Sequence, residues 1–132
     1  ISFAPSSTAL EGGAVTMVRG VAALLKQHAS LKVSVEGHID GEEALAEGLL
    51  REQGGADLAQ LRAEAVGLAL QDLGTVAARL VPHSFGALLS LGDNESAAGR
   101  AQNRRVQLLV IPDVGDAAGV EATAARASGA RL

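Results

Sequence analysis

The stretch Val33–Asp40, VSVEGHID, constrains the fold more than any other part of this chain. From Leu31 onward, Leu31, Val33, Val35 and Gly37 alternate with Lys32, Ser34, Glu36 and His38. A period of two belongs to a strand, with successive side chains on opposite faces. Leu31–His38 is therefore expected to be a half-buried strand with one apolar and one polar face. The run ends on two ionisable residues, His38 and Asp40, one position apart. Such an ending suits a catalytic pair, a ligand site or a plain polar strand end.

The flanking sequence supplies helices. Thr8 and Glu11 have capping-box spacing, and Val15, Val18, Val21, Ala22 and Leu25 follow near a 3.6 period, so a helix is expected from about Thr8 to His28. In the stretch 41–56, Ala44, Leu45, Leu49 and Leu50 are expected to face inward, with Glu42, Glu43, Glu47 and Glu52 outside. Gly54-Gly55 should break that helix. Asp57 and Gln60 repeat the capping logic for a second strong helix, whose inward stripe reads Leu58, Leu61, Ala65, Leu68 and Ala69, with Gly74 as its closing glycine. Arg79–Phe85 reads as a strand, placed at an edge because Pro82 lacks a backbone donor. Asn94 is expected to cap a short helix through Gln102, and Arg104–Ile111 alternates as the last strand. Ile1–Phe3 reads as a short edge strand. Residues 113–132 form an Ala/Gly-rich tail with a weak helical stretch at Val120–Ala127. Helices between strands imply crossovers and an α/β sandwich, a mixed sheet of about four strands packed against helices.

Composition removes several function classes. The net charge of −4 and the absence of Trp and Tyr argue against nucleic-acid binding by phosphate neutralisation or base stacking. Without cysteine there is neither a disulfide framework nor a thiolate metal site. His28, His38 and His83 lack metal-ligand spacing, so no metal or cofactor is expected. No apolar run reaches the roughly 20 residues that cross a bilayer. The chain starts at Ile1 without Met, which reads as a processed protein or a fragment. For catalysis, His38 and Asp40 could orient a general base, but no nucleophile accompanies them. HSFG at 83–86 lacks the nucleophile-elbow glycine. The diglycines in EGGAV and REQGGAD lack the Lys-Ser/Thr of a P-loop. A non-catalytic protein is expected.

A second polar cluster lies in GDNESAAGRAQNRRVQLLV, residues 92–110, where Arg100, Arg104 and Arg105 fall where a helix gives way to a strand. Composition alone reads this as a solvated basic turn.

Three ordered blocks, VSVEGHID, LAQLRAEAV and NESAAGRAQNRRVQLLV, together resemble the OmpA-like C-terminal (peptidoglycan-associated) domain family. That family runs a strand into Gly-His-Thr-Asp, then a helix with Leu-Ser-x-x-Arg-Ala-x-x-Val, then Asn-x-x-x-x-Gly-Arg-Ala-x-Asn-Arg-Arg-Val. ISFAPSSTAL is similar to its opening strand and turn, so the likeness covers about residues 1–112, with a longer acidic insert at about 41–56. The resemblance implies an OmpA-like β-α-β-α-β-β sandwich that grips the diaminopimelate of the peptidoglycan stem peptide. It implies Asp40 and Arg62 as ligand-binding residues. Asp40 would accept from the ligand ammonium, and Arg62 would fork onto a carboxylate. His38, Asn103, Arg104 and Arg105 would support them, the two arginines facing opposite sides of the last strand.

This chain departs from the family pattern around that ligand. Ile39 stands for the threonine, Gly55 for an asparagine, Ala59 for the serine, and the proline expected after Gly86 is absent. The ligand shell is thus expected to be partly degenerate. Two functions remain open. One is a peptidoglycan anchor in the periplasm. The other is a scaffold subunit of a membrane-associated complex in a mitochondrion or plastid, contacting protein subunits instead of peptidoglycan.

Overall fold

The computed structural model describes residues 1–50 and 57–113. The order is α1 (Gly13–Gln27), β1 (Leu31–His38), α2 (Gly41–Leu50), α3 (Leu58–Asp72), a 3₁₀ turn (Ala77–Arg79), β2 (Leu80–Gly86), α4 (Ala97–Asn103) and β3 (Val106–Pro112). β1 is central, parallel to β2 and antiparallel to β3. Val35 pairs with Pro82 on one side and with Leu108 on the other. Pro82 therefore sits on an edge strand, where its missing N–H breaks no ladder on the open side.

Among the described residues the sheet has three strands, not four. Ile1–Phe3 joins it only through a bridge between Ser2 and Arg105. Phe3 N–H donates to the Arg104 carbonyl and Val106 N–H to that of Ile1. Pro5 and Ser6 then turn the chain away, Ser6 at a φ of 56°.

The helices α1 and α3 bury their apolar sides on one sheet face, in a core of Val18, Val21, Leu25, Val33, Val35, Val66, Leu70, Val106 and Leu108. α1 starts at Gly13, later than the capping-box spacing of Thr8 and Glu11 predicts, and Gly12 caps it without a side-chain bond. Its C-terminal end is closed by Arg79, whose guanidinium donates to the carbonyls of Leu25, His28 and Leu31 at 2.7, 2.6 and 2.9 Å. Orphan carbonyls and a cation at a helix C-terminus satisfy each other.

α3 begins where the sequence places it, with Asp57 accepting from Gln60 N–H. It ends in a Schellman turn: Gly74 N–H reaches Gln71 O and Thr75 N–H reaches Leu70 O, with Gly74 at a φ of 101°. Its buried side is not the leucine stripe. Ala59, Arg62, Ala63, Val66, Gly67 and Leu70 face inward, whereas Leu61 and Leu68 are exposed. The cause is a close approach to β1. A Cβ on Gly37 would lie 1.9 Å from the Ala59 carbonyl oxygen, so the contact face must be small.

Three further expectations are corrected. The polar face of β1 is not solvated: Ser34, Glu36 and His38 are each 1% exposed or less. α2 is turned the other way in part: Leu45 and Leu49 are exposed, Glu43 is buried, and the Glu47 carboxylate accepts from Leu58 N–H, while Glu42 stays outside as expected. In the last helix Ser96, not Asn94, is the N-cap, accepting from Gly99 N–H. The expected break at Gly54-Gly55 and the helical stretch in the tail lie outside the described residues.

Candidate functional site

The site is built on the capping of α2 at the end of β1. Asp40 is its first-turn cap: Oδ1 accepts from Glu43 N–H at 2.8 Å, and Glu43 Oε1 accepts from Asp40 N–H at 3.0 Å. This is a reciprocal capping box with Asp in the Ser/Thr role. Gly41 N–H goes to Asn94 Oδ1 at 2.9 Å. The first amides of α2 are thus held by side chains, and Asp40 is fixed within the cluster.

Glu43 is the hub. Its carboxylate takes a bidentate pair from Arg62, Nη1 to Oε1 at 2.8 Å and Nη2 to Oε2 at 2.6 Å. Ser6 N–H adds a bond to Oε2 at 2.7 Å, which the left-handed turn at Ser6 makes possible. Arg62 is fully buried. Its remaining donors reach the carbonyls of Ser7, His38 and Ala4 at 2.9, 3.1 and 3.3 Å. All five guanidinium N–H groups are therefore occupied. The ring of Phe3 lies 5.2 Å from the guanidinium carbon, adding a cation–π contact.

Asp40 is nearly buried, and its Oδ2 accepts from Arg104 Nη1 at 2.9 Å. Arg104 Nε also ties down the Phe3 carbonyl. Arg105 turns the other way, donating to the Leu89 carbonyl at 2.7 Å and to Gln107 at 2.8 Å. Asn103, fully buried, accepts from the N–H groups of Leu91 and Gly92 and donates to Gly92 O and Asn94 Oδ1. It holds the loop that presents Asn94 to α2. His38 stacks on Phe85 with ring centroids 5.4 Å apart and planes at 12°. Among the described residues no His, Asp and Glu group has the geometry to hold a metal.

Beside this cluster lies a cavity of about 390 Å³ between α2 and α4. Asp40, Glu42, Glu43, Arg100 and Arg104 line it together with Pro5 and Ser6, and Arg62 does not. Glu42 and Arg100 face each other across it, Oε1 to Nε at 3.6 Å, with side chains 73% and 22% exposed. The cavity thus carries both signs of charge on a wall of fixed polar groups. That arrangement can recognise a small zwitterion.

The sequence names Asp40, Arg62, Asn103 and Arg104, and the structure gathers all four at one end of the sheet. Arg105 and His38 lie alongside. Glu42, Glu43, Asn94 and Arg100 are additional members. Glu43 had a visible signal: Asp40 and Glu43 stand at capping-box spacing.

A mixed sheet flanked by helices, with a polar cavity at the end of its central strand, defines a small α/β binding domain. Residues 2–104 match the OmpA family, and the chain belongs to it. It is 32% identical over 116 residues to the probable lipoprotein YiaD of Escherichia coli K12, covering 85% of this chain and 48% of that protein. It is 33% identical over 81 residues to the outer-membrane lipoprotein YfiB of Pseudomonas aeruginosa, covering 60% of this chain and 43% of that one. The chain thus spans about half the length of the curated relatives it matches. The crystal structure of the peptidoglycan-associated lipoprotein from Burkholderia pseudomallei superposes with a TM-score of 0.69 at 28% identity, covering 83% of this chain and 87% of that one.

Proposed function

We propose that this chain is a peptidoglycan-binding module of the cell envelope, working in the periplasm without catalysis. The observation that carries the reading is the Asp40 carboxylate held at the wall of a cavity of mixed charge. The diaminopimelate of a stem peptide presents an ammonium and a carboxylate on one small group, and such a wall complements both. Kinship supports it: relatives include two envelope lipoproteins and a peptidoglycan-associated lipoprotein. No described helix is long and apolar enough to cross a membrane, so attachment to the envelope would rest on the wall contact or on other parts of the protein.

One observation favours a second reading. Arg62, which the resemblance gives to the ligand carboxylate, is already saturated by Glu43 and three carbonyls. A scaffold subunit that keeps the fold and has lost the ligand, in a mitochondrial or plastid membrane complex, would look the same at that residue. Sedimentation with purified sacculi separates the two. The anchor reading expects the chain to pellet with sacculi and Asp40→Asn to stay in the supernatant. A wild-type chain that stays in the supernatant supports the scaffold.

A further inference from the structure

Resting on the peptidoglycan reading, we propose that the ligand's charged end is read by Glu42 and Arg100 on the rim of the α2–α4 cavity, with Arg62 committed to holding Glu43.

A ligand carboxylate that reached Arg62 would have to expel Glu43 from four hydrogen bonds: two from the guanidinium and one each from the amides of Ser6 and Asp40. An incoming carboxylate could at most remake what Glu43 already makes. Glu43 is part of the same chain, so its effective concentration at the site is far higher than that of a free ligand. The internal carboxylate wins that competition.

The cavity offers other cations to a carboxylate. Its lining cations are Arg100 and Arg104. Arg104 is engaged with Asp40 and the Phe3 carbonyl. Arg100 spends Nη1 on the Asn94 carbonyl at 2.9 Å and meets Glu42 only at 3.6 Å, beyond hydrogen-bond length. An exposed pair of this kind is worth about 0–1 kcal/mol, so parting it costs little. A zwitterion inserted between the two gives each a closer partner: the ligand carboxylate on Arg100, its ammonium on Glu42 with Asp40 behind. The Asn94 contact holds the guanidinium in place at the rim, so recognition needs no rearrangement of the core.

The test uses the 132-residue chain, a diaminopimelate-containing stem peptide and titration calorimetry. Arg100→Gln should weaken binding about tenfold or more, the scale of a hydrogen bond to a charged group. Glu42→Gln should weaken it in the same direction. Glu43→Gln should lower the melting temperature without tightening binding. Tighter binding by Glu43→Gln together with wild-type affinity in Arg100→Gln would place the carboxylate on Arg62; the inference then fails while the peptidoglycan reading stands. No binding by the wild-type chain overturns both. Because Arg100 and Glu42 are at the surface, their variants are expected to fold, and unchanged melting confirms it.

Discussion

Replacing Glu43 by Ala probes the polar cluster at its hub. The substitution leaves the guanidinium of Arg62 fully buried with no counter-charge. It also strips the amides of Ser6 and Asp40 of their acceptor. Both side chains of the pair are almost wholly shielded, at 0% and 5% exposure, so the discount for a surface ion pair does not apply. Removing one partner of a buried pair costs about 3–5 kcal/mol. A domain of this size has about 5–15 kcal/mol in total. At about 4 °C for each kcal/mol, Glu43→Ala should melt about 12–20 °C below wild type. With neither Trp nor Tyr in the chain, the assay is far-UV circular dichroism through a urea or thermal transition. Adding Arg62→Met to Glu43→Leu should recover part of the loss, since it removes the stranded charge, and the two changes should be non-additive by more than about 1 kcal/mol. A loss below about 1 kcal/mol for Glu43→Ala would refute the reasoning. It would mean that water reaches the guanidinium and that Arg62 is not tied to the fold.

The contact faces give further expectations. Gly37→Ala forces a Cβ into the Ala59 carbonyl, which is backbone and cannot swing aside, so it should cost about 3 kcal/mol or more; Gly20→Ala in α1, with open space around it, should stabilise by about 0.5–1 kcal/mol. Urea midpoints of the two variants check both signs. Leu70→Ala should cost about 2–5 kcal/mol and Leu68→Ala within about 0.5 kcal/mol, a contrast that tests the rotation of α3. Asn103→Ala leaves the amides of Leu91 and Gly92 without their acceptor and should cost about 3 kcal/mol, with amide exchange of the 91–94 loop rising faster than that of β1.

Local chemistry was legible in the sequence, and long-range choices were not. The bounds of β1 follow from its period of two, the start of α3 from Asp57, its end from Gly74, and the edge position of β2 from Pro82. Which side of α3 faces the sheet could not be read by counting leucines. The decisive term is the distance to β1 at Gly37, which selects Ala59 and Ala63 over Leu61 and Leu68. The burial of Glu43 in α2 is likewise a long-range effect. Glu43 turns inward because Arg62 lies 19 residues away in sequence but within bonding distance in space. A helix read in isolation shows three acids and some leucines, and no local rule says that a buried guanidinium is waiting. The site followed suit: the motif blocks name Asp40, Arg62 and Arg104, and the spacing of Glu43 to Asp40 signals its capping role, whereas its pairing with Arg62 needed the third dimension.

The direct test of the account is the arginine side-chain N–H spectrum of an isotope-labelled chain titrated with the stem peptide. The predicted result is a saturable shift of the Arg100 guanidinium signals, with those of Arg62 unmoved. Movement of Arg62 with Arg100 silent would contradict it.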